Sequence, residues 1–153
     1  ATACAQARGM EKAGADALLV LPPYYTNSPP NGLNAYYKAV GQASGLPLAI
    51  YSRDWAVFSP EAVAKLCDEV PTLEIWKDGQ GNGRTYERIM SYNGDRLAWV
   101  GGLGDDCLPT YLSVGVQAFT SSISNTAPKL AVELARLGGL MPGDAHDPYF
   151  SKI

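Results

Sequence analysis

Two short stretches place reactive side chains where a chain ordinarily buries apolar ones. In LEIWKDGQG, residues 73–81, Lys77 closes a run that reads as a buried strand, and a glycine-rich turn follows at once. Side chains alternate along a strand, so Leu73, Ile75 and Lys77 are expected on one face and Glu74, Trp76 and Asp78 on the other. An ammonium at the top of an apolar face is drawn out of water, which disfavours its charged form and lowers its pKa. The neutral amine is a nucleophile toward a ketone. The protonated imine it forms is an electron sink that permits proton loss, carbon–carbon cleavage or departure of a β-hydroxyl. The other reading of Lys77 is a stem that snorkels from the strand end into solvent.

Tyr51 ends the preceding strand, LAIYSRDW, as Lys77 ends its own. Neighbouring parallel strands lie about 4.8 Å apart, so the two side chains can share a pocket. A phenol both donates and accepts, which suits it to pass a proton to and from a carbinolamine or an imine. The alternative is an aromatic filler whose hydroxyl bonds to a loop. No metal is called for: Cys4, Cys67 and Cys107 are widely separated, form no CxxC knuckle and read as buried apolar fillers. The one histidine, His146, lies in the polar stretch GDAHDPYF, which reads as surface loop.

The elements that must position these residues follow two alternating periodicities. TACAQARGMEKAG reads as a helix and ADALLVLPPYY as a buried strand ended by Pro22 and Pro23. The turn TNSPPNG leads to the helix LNAYYKAVGQASG and the strand LPLAIYS. Ser59 as N-cap and Pro60 at the first helical position introduce EAVAKLCDEV, which precedes LEIWK. RTYERIMSYNG is a weaker helix before LAWVGG; CLPTYLSVG precedes VQAFTSS, and PKLAVELARLG closes the series.

Strands alternating with helices predict an α/β fold with a parallel sheet. An open doubly wound sheet and part of a (β/α)8 TIM barrel both fit. No GxGxxG or GxxxxGK[ST] follows a strand, so the nucleotide-binding versions of the open sheet lack their motif. Polar residues gather instead at strand C-terminal ends: Tyr24 and Tyr25, Tyr51 to Asp54, Lys77 to Gly79, Gly101 and Gly102, Ser121 and Ser122. Chemistry at that end of several strands favours the barrel. A whole barrel takes about 250 residues, so 153 residues with five strands read as an incomplete one, five of eight βα units.

Composition excludes other classes. With 46% hydrophobic residues the chain can build a core, and a net charge of −3 with no basic run gives nothing to track a phosphate backbone or an anionic membrane. No apolar stretch reaches the roughly 18 to 20 residues that span a bilayer, and the first residues lack the basic-then-apolar order of a signal peptide. The expectation is a cytoplasmic protein with no nucleic-acid or membrane partner.

GADALLVLPPYYT, IYSRDWAVFSPEAVAKLCDEVPTLEIWKDGQGN and GDRLAWVGG resemble the central part of the dihydrodipicolinate synthase and N-acetylneuraminate lyase family of class I Schiff-base barrels. The resemblance is strongest to its 5-dehydro-4-deoxyglucarate dehydratase branch, through YSRD and the lysine of KDG 26 residues after its tyrosine. It covers residues 1–137 as strands four to eight of the barrel, leaving 138–153 as a polar C-terminal tail. It implies Lys77 as the Schiff-base lysine and Tyr51 as the proton relay. Tyr25 matches a tyrosine that in several members reaches toward a neighbouring subunit, and a homo-oligomer is implied for the full-length parent. Arg53 would hold the distal carboxylate of a sugar acid with its planar fork, or pair with Asp54 or another loop acid. Gly79, Gly101 and Ser121 fall where the family lines its pocket with backbone groups and small side chains.

The implied function is a lyase on a 2-oxo sugar acid, dehydrating and decarboxylating 5-dehydro-4-deoxyglucarate to 2,5-dioxopentanoate, with no cofactor because the imine is the electron sink. A 2-keto-3-deoxy sugar acid aldolase or a dihydrodipicolinate synthase-like enzyme would use the same pair, and a non-catalytic half-barrel is the remaining reading. The chain also departs from the branch. Ser52 stands where Asn is usual, a shorter substrate contact, and GGLGDDCLP carries acids where Gly-Gly-Leu-Pro-Thr-Ala-Glu is more frequent. Strands one to three, with the turn that binds the 2-oxo carboxylate, have no counterpart in the sequence, so the chain alone is not expected to complete a turnover.

Overall fold

The computed structural model describes residues 2–23 and 28–139. Within them the elements run α1 (Thr2–Lys12), β1 (Leu18–Val20), α2 (Pro30–Gly41), β2 (Leu48–Arg53), α3 (Pro60–Glu69), β3 (Leu73–Gly79), α4 (Gly83–Asn93), β4 (Ala98–Gly101), α5 (Leu108–Ser113), β5 (Ala118–Phe119) and α6 (Pro128–Leu137). Local chemistry sets several boundaries. Ser59 caps α3, its hydroxyl accepting the Ala62 amide at 3.2 Å, and Pro60 follows at the first helical position. Asn82 caps α4 in the same way through the Thr85 amide. Helix α2 starts three residues before the expected LNAYY because Pro30, whose ring pre-sets φ, opens it.

The strands form one parallel sheet in the order β1-β2-β3-β4-β5, each beside the strand that precedes it in the chain. A doubly wound sheet would reverse its order at a switch point; an unbroken order is the winding of a barrel. The fold is an incomplete (β/α)8 barrel with five βα units. The strands read as ADALLVLPPYY and VQAFTSS contract to three and two residues, since both are edges whose ladders have a neighbour on one side only.

Alternation splits the sheet into two unlike faces. Leu18, Leu48, Ile50, Leu73 and Trp76 join helical residues such as Tyr37, Val63, Leu66 and Ile89 in one continuous core. Aromatic rings run through it edge to face, Phe58 against Trp76 at 4.9 Å and Tyr86 against Tyr111 at 6.0 Å between centroids. Residues of the other parity, Leu19, Ala49, Tyr51, Ile75 and Lys77, belong to the opposite face.

One expectation is corrected here. Leu73 does not share the face of Lys77. The β2–β3 register slips, so that Leu48 pairs with Leu73 while Ala49 pairs with Ile75, and the irregularity moves Leu73 into the helix-covered core. Beyond the slip the ladder is regular, and it runs in step to the C-terminal ends of both strands. None of the described helices is long and apolar enough to cross a membrane.

Candidate active site

The ladder sets Tyr51 directly opposite Lys77. The Lys77 ammonium stands 4.0 Å from the centroid of the Tyr51 ring. Burial pushes the pKa of the amine down, and the nearby Arg53 guanidinium lowers it further. Tyr51 is almost fully buried, and its hydroxyl donates to the Gly102 carbonyl at 2.6 Å. The amine and the phenol that the sequence offers as a pair are brought together on the open face of the sheet.

Glycine is required around this pair by close approach. A Cβ on Gly79 would lie 2.6 Å from the Tyr51 ring, and one on Gly102 would overlap the Lys77 stem. Gly79 therefore acts as the floor under the phenol, and Gly102, just after β4, as the wall beside the amine. Gly101 differs: a Cβ there would enter the Tyr111 ring, so its side-chain position faces the helices and gives the pocket no side chain.

Ser52 is also turned away. It pairs in register with Asp78 on the helix-covered face, is 2% exposed, and donates its hydroxyl to the Ala56 carbonyl at 3.0 Å. A strand residue next to Tyr51 must point to the other side, which removes it from the amine. Ser121 is occupied locally: its hydroxyl accepts the Ser124 amide at 3.2 Å and its carbonyl accepts the Ser124 hydroxyl at 2.7 Å.

Arg53 lies on the Lys77 face, its guanidinium 5.7 Å from the Tyr51 ring centroid, and its Nε is 3.3 Å from an Asp54 carboxylate oxygen. This is the pairing with Asp54 that the sequence offered as one reading of Arg53. Asp54 holds a φ of 53°, unusual for a residue with a side chain, and its carbonyl accepts from the Gln80 side-chain Nε2 at 3.1 Å, tying the loops after β2 and β3. Leu21, Pro22, Pro23, Arg53, Asp54 and Trp55 line a cavity of about 250 Å³ at this corner. Roomier grooves lie away from the amine, one along α1 and β1 and one near the N-terminal ends of β4 and β5.

Two side chains next to the pair were given no role in the sequence reading. Asp78, 4% exposed, accepts the Gly81 amide at 2.9 Å and the Tyr111 hydroxyl at 3.0 Å. Burial raises its pKa, against the pull of those bonds. Tyr111 in turn accepts the Leu103 amide at 3.2 Å. The signals were present: an acid on the helix-covered face needs a donor, and two successive glycines at a strand end present one hydrogen to each face.

Asp105 joins the loop after β4 to the one after β5. Its carboxylate accepts the Ser122 and Ile123 amides at 3.0 and 3.1 Å. Burial acts to raise its pKa, but bonds from the Ser121 hydroxyl and the two amides outweigh it and hold the carboxyl below its usual value. Tyr25 and His146 lie outside the described residues. Cys4, Cys67 and Cys107, expected as buried apolar fillers, are free thiols that pack against the core but are only half-buried. Among the described residues no group of three or more histidine, cysteine and carboxylate side chains could hold a metal ion.

Known proteins share this arrangement of elements. A sequence model of the Dihydrodipicolinate synthetase family matches residues 1–141. A protein of Rhodococcus opacus (strain B4), named probable 5-dehydro-4-deoxyglucarate dehydratase, is 45% identical over 136 residues, which take in 87% of this chain and 44% of that protein. One of the same name from Xanthobacter autotrophicus (strain ATCC BAA-1158 / Py2) is 40% identical over 140 residues, 90% of this chain and 46% of that one. The crystal structure of dihydrodipicolinate synthase from Aquifex aeolicus matches with a TM-score of 0.81 at 25% identity, covering 97% of this chain and 50% of the other. The chain thus spans less than half the length of these two curated relatives. Matched by the family along nearly all of its length and wound as its structures are wound, the chain belongs to the Dihydrodipicolinate synthetase family.

Proposed function

We propose that this chain carries the reactive amine of a Schiff-base lyase acting on a 2-oxo sugar acid, and that the acid is 5-dehydro-4-deoxyglucarate. The observation that carries the reading is the in-register pair: a half-buried amine with a lowered pKa lying 4.0 Å from the ring of a buried tyrosine. The names of the two relatives in Rhodococcus and Xanthobacter support the substrate.

In this reading neutral Lys77 attacks the ketone carbon, and the carbinolamine loses water to give a protonated imine. Tyr51 passes the protons, its hydroxyl returning to the Gly102 carbonyl between steps. The iminium makes the adjacent CH₂ acidic. Loss of that proton gives an enamine that expels the hydroxyl β to the original ketone as water, leaving a conjugated iminium. The distal carboxylate then departs as carbon dioxide, its bonding electrons running through the conjugated system to the nitrogen. Tautomerisation and hydrolysis release 2,5-dioxopentanoate and restore the amine. Arg53 is the group that would meet the distal carboxylate, exchanging its pairing with Asp54 for the substrate.

The experiment is borohydride reduction of the chain mixed with 5-dehydro-4-deoxyglucarate, followed by mass spectrometry of the Lys77 peptide. The expected result is an adduct at Lys77 that is absent from Lys77→Ala. No adduct on the native chain would overturn the lyase reading and leave a non-catalytic half-barrel. Release of pyruvate instead of carbon dioxide by an enzyme bearing this segment would move the assignment to an aldolase.

A further inference from the structure

The peptide group between Gly102 and Leu103 is held at both of its ends by tyrosines. Its carbonyl accepts from Tyr51 at 2.6 Å, on the amine side of the sheet. Its N–H donates to the Tyr111 hydroxyl at 3.2 Å. Tyr111 approaches from the helix side, where its ring packs on Gly101, and its hydroxyl donates to Asp78, with the carboxylate at 3.0 Å the nearer acceptor and the main-chain carbonyl at 3.3 Å the farther. The C=O and N–H of a trans peptide share one rigid plane and point in opposite directions. Fixing one end of that plane therefore fixes the other.

All of the bonds run in one sense. Asp78 accepts from Tyr111, which accepts from the Leu103 amide, whose carbonyl partner accepts from Tyr51. In such a chain each bond polarises the next, so the carboxylate's electron density strengthens the acceptor offered to Tyr51. The Gly81 amide holds the same carboxylate oxygen at 2.9 Å and keeps it in place.

We propose that Asp78 and Tyr111 are positioning residues for the Tyr51–Lys77 pair, acting through the plane of the Gly102–Leu103 peptide. Neither touches the amine. They set the direction of the carbonyl that holds the phenol, and so the distance between the phenol and the nitrogen. This deepens the Schiff-base reading and rests on it for its catalytic meaning, while the linkage itself is a property of the fold.

The test has two arms on the whole chain. In the first, the chain is made with tyrosine labelled by ¹³C at Cζ, and the Tyr51 resonance is identified by its loss in Tyr51→Phe. Tyr111→Phe keeps the ring against Gly101 and removes only the hydroxyl, and it is expected to displace the Tyr51 resonance. Asp78→Asn keeps an acceptor oxygen and should displace it less. Tyr92→Phe, at an exposed tyrosine, should leave it where it was. A Tyr51 resonance unmoved in both Tyr111→Phe and Asp78→Asn would overturn the proposal, and either variant alone suffices if the other does not fold.

The second arm measures the rate of borohydride-trapped adduct formation. Tyr111→Phe is expected to slow it roughly tenfold, as befits loss of one charge-assisted hydrogen bond. In the double variant with Tyr51→Phe the rate should equal that of Tyr51→Phe alone, because both changes break one chain. Multiplying effects would show that Tyr111 acts elsewhere and sink the proposal. Absence of any adduct on the native chain would sink the Schiff-base reading instead, with the resonance arm still deciding the linkage.

Discussion

The Lys77 ammonium is acted on from two directions. Burial and the Arg53 charge favour the neutral amine, while the face of the Tyr51 ring, 4.0 Å away, favours the cation. The net effect is a pKa below that of a free lysine. A lowered pKa means that the reactive fraction grows at lower pH than in free lysine, whose value is about 10.4. Adduct formation with a 2-oxo acid should therefore rise with pH, with a midpoint below that value. Lys77→Arg, which keeps a charge but cannot deprotonate, should give no adduct at any pH. Gly102→Ala should slow trapping about tenfold or more, since the added methyl must displace the Lys77 stem and such overpacking costs about 1–3 kcal/mol. Lys77 and Tyr51 were readable from sequence because strand-end position is enough to pair them. Ser52 was misread for the same cause: a neighbour in sequence is on the other face of a strand. Tyr111 was hidden because its meeting with Asp78 joins residues 33 apart and is made by tertiary packing.

At the scale of elements, α3 and β3 deliver the amine. Ser59→Ala removes the cap of α3 and should cost about 1 kcal/mol in chemical denaturation. Trp76→Ala, at a side chain fully buried against Phe58, should cost about 3–5 kcal/mol. Asp105 makes the loops after β4 and β5 sensitive to acid. Its folded pKa is depressed, so the contribution of the clip is present above the usual carboxylate value, about 3.9, and is lost as pH falls through the lower folded value. Hydrogen exchange at the Ser122 and Ile123 amides, corrected for intrinsic rate, should lose protection over that window, and Asp105→Asn should abolish the pH dependence. The helices were placed well by caps and prolines. The edge strands were overextended because apolar residues continue past the last ladder bond, and nothing local marks where a neighbour stops.

For the molecule as a whole, the two faces of the sheet set solution behaviour. The helix-covered face carries the continuous core, whereas the other presents Leu19 and Leu21, on and just after β1, at 50% and 42% exposure. Apolar side chains exposed on the face of a sheet promote association. Leu19→Lys should therefore reduce light scattering at high protein concentration, with less than about 0.5 kcal/mol change in stability. The periodicity showed the winding in advance, since no strand needs a partner from far along the chain. The open face was equally visible as a count of strands too small to close a ring.

That strand order bears on how the molecule is made. Successive pairs join residues 30, 25, 23 and 18 positions apart, as in Leu18 with Leu48, Leu48 with Leu73, Ile75 with Ala98 and Val100 with Ala118. Each new strand emerging from a ribosome finds its template already synthesised and within one helix's length. Assembly can thus advance by accretion at a single growing edge, with short loops to close at every step. Arrested nascent chains of increasing length should gain protease resistance in steps, one for each βα unit released.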